Sequence, residues 1–346
     1  MKFICSIRCT ELNDKFKLKK ISDKMSLNVG VIGAGSMGTA ISQIIARNAN
    51  KIYLYARKKE ICEEINEKRY NFHYYPNIKL HDNIVAINDL NELKDVDVLF
   101  LCVPSSVIRD ITKKLVKIVS NDCIFVNTAK GLEKGTNKRM GEVIEEEIKK
   151  SAVVLSGPNI ASEMVTEYLT ATTIASRNPN ELKTIENLLT SYKFKVNSNN
   201  DMIGTEYCGI IKNVIAISHG ICEGLKISDN ARFAVFTKSY NEIKDIIEQL
   251  GGRRDTVDDY CGFGDIVTAS TLNVSRNHTL GVLYGQKIVI DEKASGVLFE
   301  GKNTTKIMKE LCESINYECL TVNFVYNVII EKMNPQESFN LLWKKL

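Results

Sequence analysis

The sequence predicts an α/β chain in two parts: a parallel-sheet domain over residues 26–204, then an all-α C-terminal domain over residues 205–346. Three observations lead there. A glycine-rich turn joins an apolar, β-rich run to an amphipathic helix pattern at residues 27–48. Short, continuously apolar runs then recur up to about residue 200, as in strands buried on both faces. Beyond Gly204 the alternation stops and only helical periodicity remains.

Composition sets the outer bounds. With 346 residues, 44% of them hydrophobic and 25% charged, the chain has room for two cores, at ~100–200 residues per domain. A formal charge of +4 without a dense Lys/Arg run argues against a nucleic-acid surface. No apolar run approaches the ~18 residues of a membrane span. The ten cysteines are scattered, with no CxxC pair and no Cys/His metal spacing. Several sit in apolar runs, as Cys102 does in VLFLCVP, and read as small buried hydrophobes. A reduced, cytoplasmic protein without a metal is expected. Residues 1–25 stand apart as a basic arm, read as disordered or as lying upstream of a start at Met25; the acids among them argue against a transit peptide.

The first element is LNVGVIGAGSMGTAISQIIARN, which holds Gly33-x-Gly35-x-x-Gly38 between strand and helix. Gly33 permits the tight turn, Gly35 lets the backbone approach a pyrophosphate, and Gly38 lets the helix pack on the strand. The helix N-terminus then offers N–H groups and partial positive charge to phosphates. This is the strand–turn–helix setting of a Rossmann-type dinucleotide site. The second strand, KIYLY, ends where an NAD-specific site would carry an acid for the ribose 2′-hydroxyl. Ala56, Arg57, Lys58 and Lys59 stand there instead, which favours NADP over strict NAD.

Three further strands follow. VLFLCV runs into Pro104-Ser105-Ser106, CIFVN into Thr128-Ala129-Lys130-Gly131, and AVVL into Ser156-Gly157-Pro158-Asn159. Ligands gather beyond the carboxyl ends of such strands, and Lys130 is the cation among these ends. Residues 171–200 read as a closing βαβ unit.

The helical part opens on EYCGIIKNVIAI, from Glu206 to Ile217. On a helix, Ile210, Ile211, Val214 and Ile215 form one stripe, and Gly209, Lys212, Asn213, Ala216 and Gly220 another. Lys212 thus stands among small residues that let a ligand approach, although a surface lysine snorkelling past apolar neighbours has the same pattern. Downstream, GFGDIVTA puts Asp265 in a glycine-rich turn, where an N-cap is the plain alternative. SRN places Ser275, Arg276 and Asn277 together, and arginine's planar fork suits phosphate.

Taken together, GAGSMGTA, TAKGLE, SGPNIASE, GIIKNVIAI, GFGDIVTA, SRNHTLG and EGKNT resemble, in order and spacing, the NAD(P)-dependent glycerol-3-phosphate dehydrogenases of bacterial type, over residues 27–345. The resemblance implies that Lys212 is the acid/base lysine, with Lys130 and Asp265 beside it. It implies substrate contacts at Lys130, Gly157, Asn159, Lys212, Asp265, Ser275, Arg276 and Asn277. Cofactor contacts fall on Gly33, Gly35, Ser36, Met37, Gly38, Arg57, Pro104, Lys130, Ala161, Arg276 and Glu300. The cofactor would be NADP or NAD, the product glycerol 3-phosphate for phospholipid synthesis, and the assembly a homodimer. Three positions depart from the pattern: Asn159 replaces the commoner threonine, LFEG replaces VxEG, and Met37 stands where an aromatic is common. Two alternatives stay open. A ketopantoate-type dehydrogenase of similar architecture would have no use for Arg276, and a non-catalytic cofactor sensor would need only the glycine loop.

Overall fold

The computed structural model describes residues 26–272, 275–288 and 300–346, and of Glu300 only the backbone. Eight strands form one sheet in the order β3-β2-β1-β4-β5-β6-β7-β8. They are β1 (Asn28–Ile32), β2 (Lys51–Tyr55), β3 (Ile84–Ile87), β4 (Val98–Leu101), β5 (Ile124–Asn127), β6 (Val153–Ser156), β7 (Thr170–Ala175) and β8 (Phe194–Asn199). Strand β4 explains the apolar runs: Val98 and Phe100 face one core while Leu99 and Leu101 face another, all four fully buried. A strand covered by helices on both faces has no polar side to present.

The sheet is not parallel throughout, as the sequence rhythm had suggested. β6 and β7 pair antiparallel, with Val154 opposite Ala175 and Ser156 opposite Thr173. The link between them holds only one short helix, α5 (Ala161–Val165), packed against α1 (Ser36–Ile45). A parallel return carries the chain back along the strand, usually on a full-length helix, and five helical residues do not span that distance. β7 and β8, joined through α6 (Pro179–Leu189), are parallel.

The remaining sheet-domain helices are α2 (Lys59–Lys68), α3 (Ile108–Leu115) and α4 (Met140–Ile148). From Met202 every described element is helical: α7 (Met202–Gly224), α8 (Asp229–Gln249), α9 (Asp265–Thr271), α10 (Arg276–Gly285), α11 (Glu300–Ser314), α12 (Leu320–Ile329) and α13 (Pro335–Trp343). Asp201 caps α7 by accepting from Gly204 N at 2.9 Å, so the helix starts three residues before the expected division at 204/205. α7 is buried on nearly every face, which marks it as the axis of the helical domain rather than an amphipathic cover.

α10 lies along α7 at backbone contact. A β-carbon on Gly220 would fall 2.2 Å from His278 O, one on Gly224 2.3 Å from Val282 O, and one on Gly281 2.2 Å from Ile217 O. Residue numbers rise together on both helices, so they run parallel. By the same offset Arg276 enters beside Ala216, one turn beyond Lys212.

Candidate active site

The glycine turn is built for close approach. Gly33 has φ +109°, and a β-carbon there would fall 2.6 Å from Cys102 O. A β-carbon on Gly38 would fall 1.9 Å from Gly33 O, so α1 meets β1 without any side chain between them. Gly35 differs: its β-carbon would meet only Tyr74 Oη, at 3.9 Å, and the space above it is otherwise open. Gly35 is the N-cap of α1 with no side-chain cap, leaving the first-turn N–H groups facing that space. A cradle with free N–H donors at a helix N-terminus fits a dinucleotide pyrophosphate. Ser36 Oγ is 2.5 Å from Tyr75 Oη, and the Met37 side chain packs into the sheet core. Arg57 is exposed past β2, where its carbonyl accepts from Asn88 Nδ2 at 2.8 Å.

Contacts lead from this turn to the lysines. Cys102 precedes Pro104 and Ser105, and a β-carbon on Gly131 would fall 2.7 Å from Ser105 Oγ. Lys130, next to Gly131, donates from Nζ to Asp265 Oδ2 at 2.5 Å and to Gly157 O at 2.9 Å. Lys212 Nζ donates to Asp265 Oδ1, also at 2.5 Å. One carboxylate thus holds two ammonium groups, one on each oxygen. Asp265 is 3% exposed, while the Lys130 and Lys212 side chains are 19% and 15% exposed. Asp265 is not an N-cap: Gly264 holds that place, and Asp265 is the first residue of α9 with its side chain turned to the lysines.

Burial is the main reason the Lys130 ammonium falls from 10.5 to about 8; Lys212 adds to the fall, and Asp265 opposes it. Gly209, one turn before Lys212, makes the approach possible. A β-carbon there would fall 2.8 Å from Ser156 Oγ and 3.3 Å from Lys130 Cγ and Cδ.

Asn159 lies on the neighbouring turn. Its Oδ1 accepts from Thr172 Oγ1 at 3.0 Å, and its buried Nδ2 has no protein partner. The amide is therefore oriented with a free donor. A β-carbon on Gly264 would fall 3.6 Å from Pro158 Cγ, so the turn after β6 meets the start of α9. Ala161 opens α5 just beyond.

The SRN cluster divides. Ser275 caps α10, its Oγ accepting from His278 N at 3.3 Å. Asn277 Oδ1 accepts from Gly301 N at 3.2 Å and ties α10 to α11. Arg276 is exposed on the first turn of α10. The Glu300 side chain lies outside the described residues.

Sequence reasoning missed Asn127, Thr172 and Glu206, which hold the site from behind. Glu206 left a trace, as an acid inside an apolar helix.

Models of the NAD-dependent glycerol-3-phosphate dehydrogenase N-terminus and C-terminus match residues 28–182 and 201–340. A glycerol-3-phosphate dehydrogenase (NAD(P)+) of Clostridium botulinum strain Eklund 17B is 36% identical over 89% of this chain and 94% of that protein. One from Bacillus mycoides is 35% identical over 91% and 94%. The crystal structure of glycerol-3-phosphate dehydrogenase from Coxiella burnetii superposes with TM-score 0.85 at 30% identity, over 92% of this chain and 99% of that one. A ketopantoate reductase from Ralstonia eutropha, covering 90% of this chain and all of its own, reaches 0.58 at 12% identity, a likeness of fold alone.

Proposed function

The chain belongs to the NAD-dependent glycerol-3-phosphate dehydrogenase family, and on that premise we propose the residue roles by which it interconverts sn-glycerol 3-phosphate and dihydroxyacetone phosphate. The observation that carries them is the Asp265 carboxylate bridging the Lys130 and Lys212 ammonium groups. A bound reduced nicotinamide supplies the hydride to the C2 carbonyl carbon. Lys212 donates a proton to the carbonyl oxygen as charge grows there, and takes it back in the oxidative direction. Lys130 stabilises that charge without transferring a proton, the kind of preorganised electrostatic effect that dominates many active sites. Asp265 holds both cations in place and offsets their repulsion.

Arg276 binds the substrate phosphate at the α10 N-terminus and spends that remote contact on orientation. Asn159 Nδ2 supplies a further donor to the substrate. The Gly33–Gly38 turn cradles the pyrophosphate, and Arg57 meets an adenosine 2′-phosphate, favouring NADPH within a dual specificity. The sheet domain over 26–204 binds cofactor and the helical domain over 205–346 supplies the acid/base lysine. The eight described cysteines are all unpaired, which fits a reducing cytoplasm, and no described helix is long and apolar enough to cross a membrane. The product serves glycerophospholipid synthesis. A homodimer, inferred from the family resemblance, is checked by sedimentation.

The deciding assay follows NADPH and NADH consumption with dihydroxyacetone phosphate for wild type, Lys212→Ala and Arg57→Ser. Turnover lost in Lys212→Ala supports the acid/base role. A KM for NADPH raised about tenfold in Arg57→Ser, with NADH unaffected, supports the 2′-phosphate contact. Full activity in Lys212→Ala would sink the assignment.

A further inference from the structure

Glu206 sits in the second turn of α7, 5% exposed. Its Oε1 accepts from Gly141 N at 2.6 Å and from Asn127 Nδ2 at 3.3 Å, and its Oε2 from Arg139 Nη1 at 2.6 Å. Room for it is made by Gly141, whose β-carbon would fall 2.8 Å from Oε2. Asn127, fully buried at the end of β5, brackets the next turn: Nδ2 donates to Ala129 O at 3.1 Å, and Oδ1 accepts from Ala129 N at 2.9 Å. Ala129 is the residue directly before Lys130.

Two rigid paths therefore leave one carboxylate. Along α7 it is six residues from Lys212, ~9 Å of helix. Through Asn127 it reaches the backbone that carries Lys130. A buried ion pair is weak support for stability, since apolar replacements are often neutral, so a different use for this one fits better. We propose that Glu206, acting through Asn127, is a positioning residue that fixes where Lys130 stands relative to Lys212. Arg139 neutralises the carboxylate, so it places Lys130 without adding a second negative charge beside Asp265. Burial pushes the Glu206 carboxyl up, with Arg139 and the Gly141 N–H pulling against it. The proposal rests on the roles given above to the two lysines.

The test compares wild type, Glu206→Gln, Asn127→Ala and the double variant in dihydroxyacetone phosphate reduction, with melting temperatures measured alongside. Glutamine removes the charge and must set an N–H donor against either Arg139 or the Gly141 N and Asn127 Nδ2 donors, so the three bonds of the carboxylate cannot all be kept. Alanine cuts the link to Ala129 while leaving the Arg139 pair whole. Each single variant should lose tenfold or more in kcat with both KM values within about twofold, and the double should lose no more than the worse single. Unchanged kcat in folded Asn127→Ala, or losses that multiply in the double, would overturn the proposal even though wild type turns over. If Glu206→Gln fails to fold, Asn127→Ala decides alone by the same kcat criterion. A wild type without turnover would bring down the parent reading, and this one with it.

Discussion

The Lys130 side chain crosses α7 over Gly209, near enough that a β-carbon there would fall 3.3 Å from Lys130 Cγ and Cδ and 2.8 Å from Ser156 Oγ. Glycine is required at this point for approach, not for backbone freedom. Gly209→Ala must turn Ser156 Oγ aside and shift the Lys130 stem by a few tenths of an ångström. Misplacement of about 1 Å can cost a hundredfold, so this smaller shift should lower kcat by about threefold to tenfold. Overpacking should cost about 1–3 kcal/mol in denaturant unfolding. Wild-type kcat in this variant would show that the lysine has slack.

Asp265→Asn keeps the shape and removes the charge that holds two ammonium groups. Without the carboxylate Lys130 loses the partner that opposes the fall in its pKa. The alkaline limit of kcat/KM for ketone reduction should move to lower pH, with a loss of about a hundredfold at neutral pH. A pH–rate profile of both proteins checks it; superimposable profiles would contradict the bridging role.

Lys130 also makes a stability prediction. In the folded protein it gives up its proton near pH 8, while the unfolded chain keeps it to about 10.5. Between those values the unfolded state binds more protons, so the contribution to stability rises with pH across that window and is least favourable below it. Relative to Lys130→Met, wild type should gain stability from pH 8 to 10.5 in urea unfolding. In the free enzyme, kcat/KM for reduction should fall above about pH 8 as the ammonium is lost.

The α7–α10 contact should tolerate no side chain. Gly281→Ala would place a β-carbon 2.2 Å from Ile217 O, a backbone atom that cannot swing aside. A loss of about 1–3 kcal/mol is expected, together with a higher KM for dihydroxyacetone phosphate as Arg276 shifts at the head of α10. A melting curve and a substrate titration decide; a higher KM for cofactor alone would argue against the phosphate role.

Most of the architecture was legible because each element carried a local signature. Runs such as VLFL are buried on both faces, so their period announces a sheet covered by helices. Gly38 was readable because it answers a contact with Gly33 O within its own strand–turn–helix unit, and Gly33 because its φ of +109° is a demand of the tight turn itself. The antiparallel β6–β7 pair was not, because strand direction depends on how far a connection travels, and apolar periodicity is the same either way. In the site, Lys130, Lys212 and Asp265 were each visible as odd residues in their settings. Ser275 and Asn277, read toward phosphate, also serve the fold, their oxygens accepting from His278 N and Gly301 N, which occupies acceptors and leaves their donors for an anion.

The sequence by itself determined the dinucleotide turn, the change from alternating to helical rhythm, and the chemical types available for the reaction. These are properties of neighbours along the chain, where spacing of three, four or two residues decides what shares a face. Only the tertiary structure decided that residues 130, 212 and 265 meet on one carboxylate, and that Glu206 and Asn127 stand behind them. Those contacts span long separations in sequence. They arise from the packing of α7 against the sheet and α9, and from glycines that matter only because a particular side chain passes over them.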